Sequence, residues 1–514
     1  MSNKIKNIAV VSLSTVGSRV FGLLRDILMF AALGASLWNS AFILAFTLPN
    51  LFRRLLGEGA LTSALVPVMS DVMDRDGREG AFSFLNQVLV RLLIVLLVII
   101  TAGIAVLHIL ADSGILSEKW KLGAQLSVIL LPYMLFICLA AIVSAALNLL
   151  GRFAVPAITP VLLNLAMIGA LLASQFLEAD AAQAVYWLCG GVMLGGVLQL
   201  AAPVLDLAKQ GWKPYLRIGK SSAMTSFWAL FLPGLLGAGI LQVNILVSRL
   251  LAFSLEESAV SVLYLASRLM ELPLGVFTIA VATVFFPLMA KACAADDSDS
   301  FCNSFLQGMS LVVAISVPAG IGLIVLCAPI LNLLFQWGAF EATDVVATMP
   351  LIIIYGMGLP FYSVATFATR GLHSLKDMRT PVHVAGLCLL VNAVLGLILM
   401  QFFGASGLAG ANVIAAIVQA MLLWFALSKA RGAIVFKDLS SSLLKIAVAG
   451  ILMGIVCLLG LWTMEQFELT EKLHALLAVG LLIPVGVLVY FGLLFAFKFE
   501  ELHGLKALMR KVLP

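Results

Sequence analysis

Long apolar runs cover most of the chain, and short polar segments separate them. Each run is long enough to cross the roughly 30 Å hydrocarbon core of a bilayer as an α-helix. The runs lie at residues 8–32, 38–70, 83–109, 123–149, 155–175, 184–206, 223–252, 258–290, 303–328, 345–370, 381–401, 407–428, 446–463 and 475–497. The pattern predicts an all-α polytopic membrane protein with about fourteen transmembrane helices.

Composition supports the membrane assignment. The 514 residues are 62% hydrophobic and 11% charged, with a mean hydropathy of +1.12, whereas soluble domains carry about 25% charged residues. The seven cysteines are scattered without CxxC spacing, so neither a disulfide framework nor a metal site is predicted. There is no Walker A loop, GxSxG elbow or HExxH motif, and we expect no enzyme, no cofactor and no nucleic-acid partner.

The charges in the loops orient the predicted bundle. If the N-terminus is cytoplasmic, twenty Lys and Arg residues fall on the cytoplasmic side and three on the other side. Cytoplasmic loops of membrane proteins carry the excess of basic residues. Both termini are therefore expected in the cytoplasm.

Two pairs of short segments resemble each other at a constant offset. GALTSALVPVMS (59–70) matches IAVATVFFPLMA (279–290) at 220 residues, and ITPVLLN (158–164) matches RTPVHVA (379–385) at 221. Six spans lie between the members of a pair, so we predict two lobes related by an axis along the membrane normal. The predicted divisions are an N-lobe (1–208, spans 1–6), a basic cytoplasmic linker on anionic lipid (209–222), a C-lobe (223–428, spans 7–12), spans 13–14 (429–497) and an interfacial cytoplasmic tail (498–514).

Eight basic residues lie inside the predicted spans, and all of them are arginines: Arg19, Arg25, Arg53, Arg54, Arg91, Arg249, Arg268 and Arg370. Three of the eight, Arg91, Arg249 and Arg370, lie near span ends, where snorkelling to the headgroups is expected. A guanidinium at bilayer depth costs at least about 2.5–3.5 kcal/mol and normally faces a wet cavity or a partner.

The segment from Ser18 to Pro67 carries four of these arginines and only two carboxylates. Arginine stays charged and offers a planar fork that matches phosphate. We therefore expect an anionic cargo, with buried structural ion pairing as the alternative. Local pairs are possible for Arg54 with Glu58 and for Arg268 with Glu271, which are helix neighbours. The candidate cargo-binding residues are Ser18, Arg19, Arg25, Asp26, Asn50, Arg53, Arg54, Glu58, Arg268 and Glu271, and the candidate hinge is Pro233, Gly234 and Gly237.

Several motifs resemble one family. GSRVFGLLRD, LPNLFRRLLGEGALTSALVP, RLMELPLGV (268–276), LFQWGAF (334–340) and GGVLQL (195–200) look like the MurJ (MviN) lipid II flippases of the multidrug/oligosaccharidyl-lipid/polysaccharide exporter superfamily. The resemblance implies two six-helix lobes around a central cationic cavity, with two C-terminal helices forming a groove for the polyprenyl tail. It also implies cavity roles for Arg19, Arg25, Arg53 and Arg268. Two positions depart from the family pattern, because Ser40 and Ser267 stand where acidic residues are common.

The resemblance implies that the chain lies in a bacterial inner membrane and flips lipid II from its cytoplasmic to its outer leaflet by alternating access, with cavity arginines binding the pyrophosphate. Expected partners are lipid II and membrane lipids, with cell-wall synthases as a further possibility. Coupling to the membrane potential or to a monovalent cation is open. One alternative is an exporter of another polyprenyl-linked oligosaccharide or of drugs. A second alternative is a membrane scaffold that recruits cell-wall enzymes without transporting anything.

Overall fold

The computed structural model describes residues 2–57, 60–216, 219, 221–431, 436–499 and 501, and this part of the chain is helical with no β-strand. The α-helices are α1 (Ser2–Leu33), α2 (Leu37–Phe52), α3 (Ala60–Asp112), α4 (Glu118–Leu130), α5 (Tyr133–Leu149), α6 (Ala154–Phe176), α7 (Ala181–Lys209), α8 (Ser222–Ser254), α9 (Ala259–Pro273), α10 (Ile279–Ala294), α11 (Ser298–Val325), α12 (Cys327–Leu334), α13 (Ala342–Ser374), α14 (Arg379–Arg431), α15 (Phe436–Glu465), α16 (Glu471–Leu477) and α17 (Ile483–Ala496). The all-α prediction is confirmed.

Helices cover every predicted apolar run within these described ranges. Nine of the described helical stretches are long and apolar enough to cross a membrane, or ten when α4 and α5, bent by 41° at their junction, form one span. Both α3 and α14 contain a kink, at Gly77 (φ 72°) and Gly404 (φ 54°). Glycine adopts such left-handed backbone angles without a Cβ penalty. The count of fourteen spans stays a prediction.

The chain divides into two compact units, Met1–Phe253 with Gly338–Phe340, and Ser254–Trp337 with Glu341–Pro514. In the first unit, α6 packs against both α1 and α7, and α5 packs against α3 and α7. The predicted hinge positions Pro233, Gly234 and Gly237 lie within the continuous helix α8. Their hinge role stays a prediction, as do the lobe boundaries.

The second unit is built around α11 and α13. Phe305 on α11 and Phe367 on α13 are fully buried in its core, and α14 packs along α13. The helix α15 packs against α11, and the Tyr490 hydroxyl on α17 donates to the carbonyl oxygen of Ala314 at 2.7 Å. The two C-terminal spans are thereby joined to this unit through α11. The tail groove stays a prediction, and residues 502–514 of the predicted tail lie outside the described residues.

One irregularity occurs in both units. A five-residue π-helical turn follows α2 at Arg53–Gly57, and another lies between α9 and α10 at Leu274–Thr278. Leu274 comes 221 residues after Arg53, which is the offset of the second pair of similar sequence segments. A π-turn inserts an extra residue into an α-helix and is frequent at functional sites. A third π-helical turn lies between α16 and α17 at Ala478–Leu482, and the internal repeat stays a prediction.

The C-terminal end of α1 is closed by the segment Gly338–Phe340, which belongs to the first unit. The Ala339 N–H donates to the carbonyl oxygen of Ala31 at 2.8 Å, and the rings of Phe30 and Phe340 pack edge to face at 5.5 Å. Two glycines of positive φ permit this approach. A Cβ on Gly34 would lie 2.5 Å from the Ala339 carbonyl oxygen, so no larger residue fits there without movement.

The linker after α7 is held by α3. The indole N–H of the buried Trp212 donates to Asn86 Oδ1 at 3.0 Å, and Asn86 Nδ2 donates to the carbonyl oxygen of Lys213 at 3.0 Å. The Arg91 guanidinium donates to the carbonyl oxygen of Gly219. Arg91 therefore has a protein partner in place of the lipid contact expected from its sequence position.

Candidate functional site

The first part of the site is an ion pair on α1. The Arg25 guanidinium donates through Nε (3.1 Å) and Nη2 (2.5 Å) to the same oxygen of Asp26. The Asp26 side chain is fully buried, and that of Arg25 is 12% exposed. This guanidinium is therefore compensated by a carboxylate of the protein, as in the structural ion pairing that the sequence left open as an alternative.

A residue on α6 completes this cluster. Asn164 Oδ1 accepts a hydrogen bond from Arg25 Nη1 at 3.1 Å, and Asn164 Nδ2 donates to the carbonyl oxygen of Ser18 at 3.2 Å. Asn164 is 6% exposed, so both of its contacts are made in the interior. Of the predicted site residues, Ser18, Arg25 and Asp26 are thus brought together. Asn164 was missed, although it closes one of the two similar sequence segments, ITPVLLN.

The second part of the site lies where α2 passes into the π-turn. Arg53, the first residue of the turn, donates through Nε to Asn50 Oδ1 at 3.4 Å, and Asn50 Nδ2 donates to the carbonyl oxygen of Phe46 at 3.0 Å. Arg53 is half-buried, whereas the neighbouring Arg54 is exposed. Glu58, the predicted partner of Arg54, lies outside the described residues.

A buried tyrosine lies beside the second part of the site. Tyr133 on α5 is fully buried, and its ring centroid lies 5.7 Å from that of Phe46, whose carbonyl oxygen accepts from Asn50. The Tyr133 hydroxyl donates to Gln199 Oε1 on α7 at 2.9 Å, and Gln199 Nε2 donates to the carbonyl oxygen of Thr159 at 3.1 Å. Tyr133 and Gln199 therefore join α5, α7 and α6 beside the helix that carries Asn50.

The predicted pair in the second unit is present. Arg268 and Glu271 on α9 lie 3.7 Å apart, with 30% and 51% of their side chains exposed. At this distance and exposure the pair is a loose one, since exposed ion pairs contribute little energy. The neighbouring Ser267 hydroxyl donates to the carbonyl oxygen of Tyr264 at 2.9 Å.

Three further predicted or noted positions, Arg249, Ser40 and Arg19, lie on α8, α2 and α1. Arg249 on α8 was expected to reach the headgroups, but its guanidinium donates to the Thr47 hydroxyl and to the carbonyl oxygen of Ile43 on α2. Ser40, where the resemblance to the family implied an acidic residue, is fully buried on α2. Arg19 is half-buried on α1.

Within the described residues, no group of three His, Cys, Asp or Glu side chains is placed to hold a metal ion.

The apolar helices of the described residues make this chain a multi-pass membrane protein, and its fold is that of a solved MOP-superfamily transporter. An inward-facing multidrug resistance MATE family transporter matches 81% of this chain and 95% of its own, with a TM-score of 0.66 and 16% identity. At that identity the match shows the fold alone. The chain belongs to the lipid II flippase MurJ family, whose sequence model matches residues 29–478.

Individual relatives agree with this assignment. A probable lipid II flippase MurJ from Rhizobium meliloti is 35% identical over 434 residues, which are 82% of this chain and 80% of the relative. One from Bdellovibrio bacteriovorus is 30% identical over 512 residues, covering 98% and 96%. A solved lipid II flippase MurJ in an inward closed conformation aligns with 96% of this chain and 99% of its own, with a TM-score of 0.80 and 27% identity.

Proposed function

We propose that this chain moves lipid II from the cytoplasmic to the outer leaflet of a bacterial inner membrane. The observation that carries the proposal is membership of the MurJ family over residues 29–478, together with arginines inside apolar helices. Lipid II carries a pyrophosphate, and guanidinium groups bind phosphate oxygens through paired, charge-assisted hydrogen bonds. Flipping is an alternating-access movement in this proposal.

Arg53 is the arginine that we assign most directly to the pyrophosphate. It is half-buried, it donates a hydrogen bond to the amide oxygen of Asn50, and it lies at a π-turn. Arg25 already shares its charge with Asp26, so its first role is to keep α1 and α6 in register through Asn164. Arg19 and Arg268 remain candidates by position in the family motifs.

The proposed orientation has both termini in the cytoplasm, as the distribution of basic residues suggests. The cargo is anionic, so an inside-negative potential favours its outward movement by about 2.3 kcal/mol per charge per 100 mV. A potential alone is therefore a sufficient driving force in this proposal, and any ion coupling comes in addition.

The experiment is flipping of labelled lipid II by the purified protein in vesicles, with and without an imposed potassium diffusion potential. We expect Arg53→Ala to lower the rate or the apparent affinity by about 10- to 100-fold, since a hydrogen bond to a charged group contributes about 1.5–3 kcal/mol. Arg75→Ala is the matched control, because Arg75 is an exposed arginine paired with Asp76.

Two results would contradict the proposal. A wild-type protein that reconstitutes as folded material but leaves lipid II in its original leaflet excludes the function. Equal rates for Arg53→Ala, Arg75→Ala and wild type exclude the assignment of Arg53 to the pyrophosphate, while lipid II transport itself stands.

A further inference from the structure

A second arginine contacts α2 close to the π-turn. Arg249 Nη1 on α8 donates to the carbonyl oxygen of Ile43 at 3.2 Å and to the Thr47 hydroxyl. The Thr47 hydroxyl in turn donates to the Ile43 carbonyl oxygen at 2.6 Å. Thr47 is only 4% exposed, so a cation from another helix has been brought into contact with a buried part of α2.

The place of this contact on α2 is informative. Thr47 lies three residues before Asn50, and residues three apart are neighbours on a helix surface, about 5–6 Å between their Cβ atoms. Asn50 holds Arg53, the residue assigned above to the pyrophosphate. The Arg249 guanidinium is therefore held about one helical turn from the proposed anion-binding position, on a long side chain that can rotate.

We propose that Arg249 is a further cargo-binding residue, stored on Thr47 and Ile43 until the diphosphate of the cargo reaches Asn50 and Arg53. This inference rests on the proposed function. On binding, the guanidinium exchanges a hydrogen bond to a neutral hydroxyl for one to a phosphate oxygen. A phosphate oxygen carries negative charge and attracts the guanidinium electrostatically, which the neutral hydroxyl does not, and arginine–phosphate pairs are frequently bidentate.

The alternative is that the contact is purely structural and fastens α8 to α2. The two cases differ in what Thr47 does. If Arg249 is stored there, the Thr47 hydroxyl competes with the cargo, and its removal leaves binding unchanged or tightens it. If the contact only fastens two helices, removal of the hydroxyl or of the guanidinium weakens function to the same extent.

The test compares Thr47→Val, Thr47→Ser, Arg249→Ala, Arg249→Gln and Arg249→Lys in the full-length protein. The readouts are lipid II flipping in vesicles and binding of a short-chain prenyl pyrophosphate, with thermal unfolding of each variant measured alongside. Arg249→Gln keeps a hydrogen-bond donor for the Thr47 hydroxyl but removes the charge. Thr47→Ser keeps the hydroxyl and serves as the matched control.

We expect Arg249→Ala and Arg249→Gln each to weaken prenyl pyrophosphate binding about tenfold, the effect of one hydrogen bond to a charged group. We expect Arg249→Lys to lie between them and wild type, because an ammonium keeps the charge but not the planar fork. Thr47→Val should bind as wild type or more tightly, and Thr47→Ser as wild type.

Either of two results overturns the inference. One is wild-type binding by Arg249→Ala or by Arg249→Gln. The other is a loss in folded Thr47→Val as large as that in Arg249→Ala. If Thr47→Val does not fold, the comparison of Arg249→Gln with Arg249→Lys decides, because only cargo binding requires the charge. A wild-type protein that does not flip lipid II overturns the proposed function itself, which is a separate outcome.

Discussion

The ion pair of Arg25 and Asp26 allows a quantitative prediction for the stability of the Arg25→Ala variant. Asp26 is fully buried, and its Oδ1 atom accepts two hydrogen bonds from the Arg25 guanidinium. Removing one partner of a buried ion pair leaves an uncompensated charge and costs about 3–5 kcal/mol. Arg25→Ala also removes the donor to Asn164 Oδ1. We therefore expect Arg25→Ala to lower the free energy of unfolding by about 3–5 kcal/mol.

The double variant Arg25→Ala/Asp26→Asn separates stability from transport. A neutral amide in place of the carboxylate removes the buried charge, so the double variant should recover most of the stability that Arg25→Ala loses. We expect a coupling energy of about 0.5–3 kcal/mol for the pair, the range measured for residues in direct contact. The assays are denaturant-induced unfolding of the purified variants in detergent and lipid II flipping of the same samples in vesicles.

Two results would refute this reasoning. The pair does not stabilise the fold if the free energy of unfolding of Arg25→Ala lies within about 1 kcal/mol of the wild-type value. That difference is well under the roughly 3–5 kcal/mol expected for a broken buried pair. If the double variant is no more stable than Arg25→Ala, the loss comes from packing or from the Asn164 contact. A stable double variant that still flips lipid II identifies Arg25 as a positioning residue only.

Three other predictions concern stability. A Cβ on Gly34 would lie 2.5 Å from a carbonyl oxygen of the Gly338–Phe340 segment at a φ of +61°, so Gly34→Ala should cost about 1–3 kcal/mol in denaturant titration. Tyr490→Phe leaves a backbone carbonyl of α11 without its 2.7 Å donor and should cost about 0.5–1.5 kcal/mol by the same assay. Hydrogen bonds from the side chain and backbone N–H of Thr380 lower the pKa of Asp377. The charged carboxylate should therefore contribute about 1 kcal/mol to the free energy of unfolding, as a helix cap does. This contribution is present above the ordinary carboxyl pKa of about 3.9 and is lost as pH falls through the lower pKa of the folded state. The free energies of unfolding of wild type and Asp377→Asn should differ at pH 7 and converge near pH 2.

The helices were predictable from the sequence because the bilayer imposes a simple rule. In hydrocarbon every backbone N–H and C=O must be satisfied internally, so an apolar run of about 20 residues forms a helix whatever its neighbours are. The breaks inside the runs were less predictable. Pro132 does separate α4 from α5, but Pro233 lies inside the continuous helix α8. A proline in a membrane helix is compatible with either outcome, since neighbouring groups can satisfy the freed carbonyl.

The arginine contacts were not predictable from spacing alone. Side chains at adjacent helix positions do not face each other, yet Arg25 pairs with Asp26, and it also reaches Asn164, 139 residues along the chain. The same limit applied to Arg249, whose acceptors on α2 lie more than 200 residues away. A position near the end of a span suggested a lipid contact, whereas the structure brings the Arg249 guanidinium to acceptors on α2.

The contact of Arg25 with a buried carboxylate also bears on its role. A guanidinium that already binds a buried carboxylate gains less from an incoming phosphate, because the new anion must compete with the old one and repels it. Arg25 is in this position. The binding energy that Arg25 gains from the pyrophosphate should therefore be small, and Arg25 should act mainly through the position of α1, which it connects to Asn164 on α6.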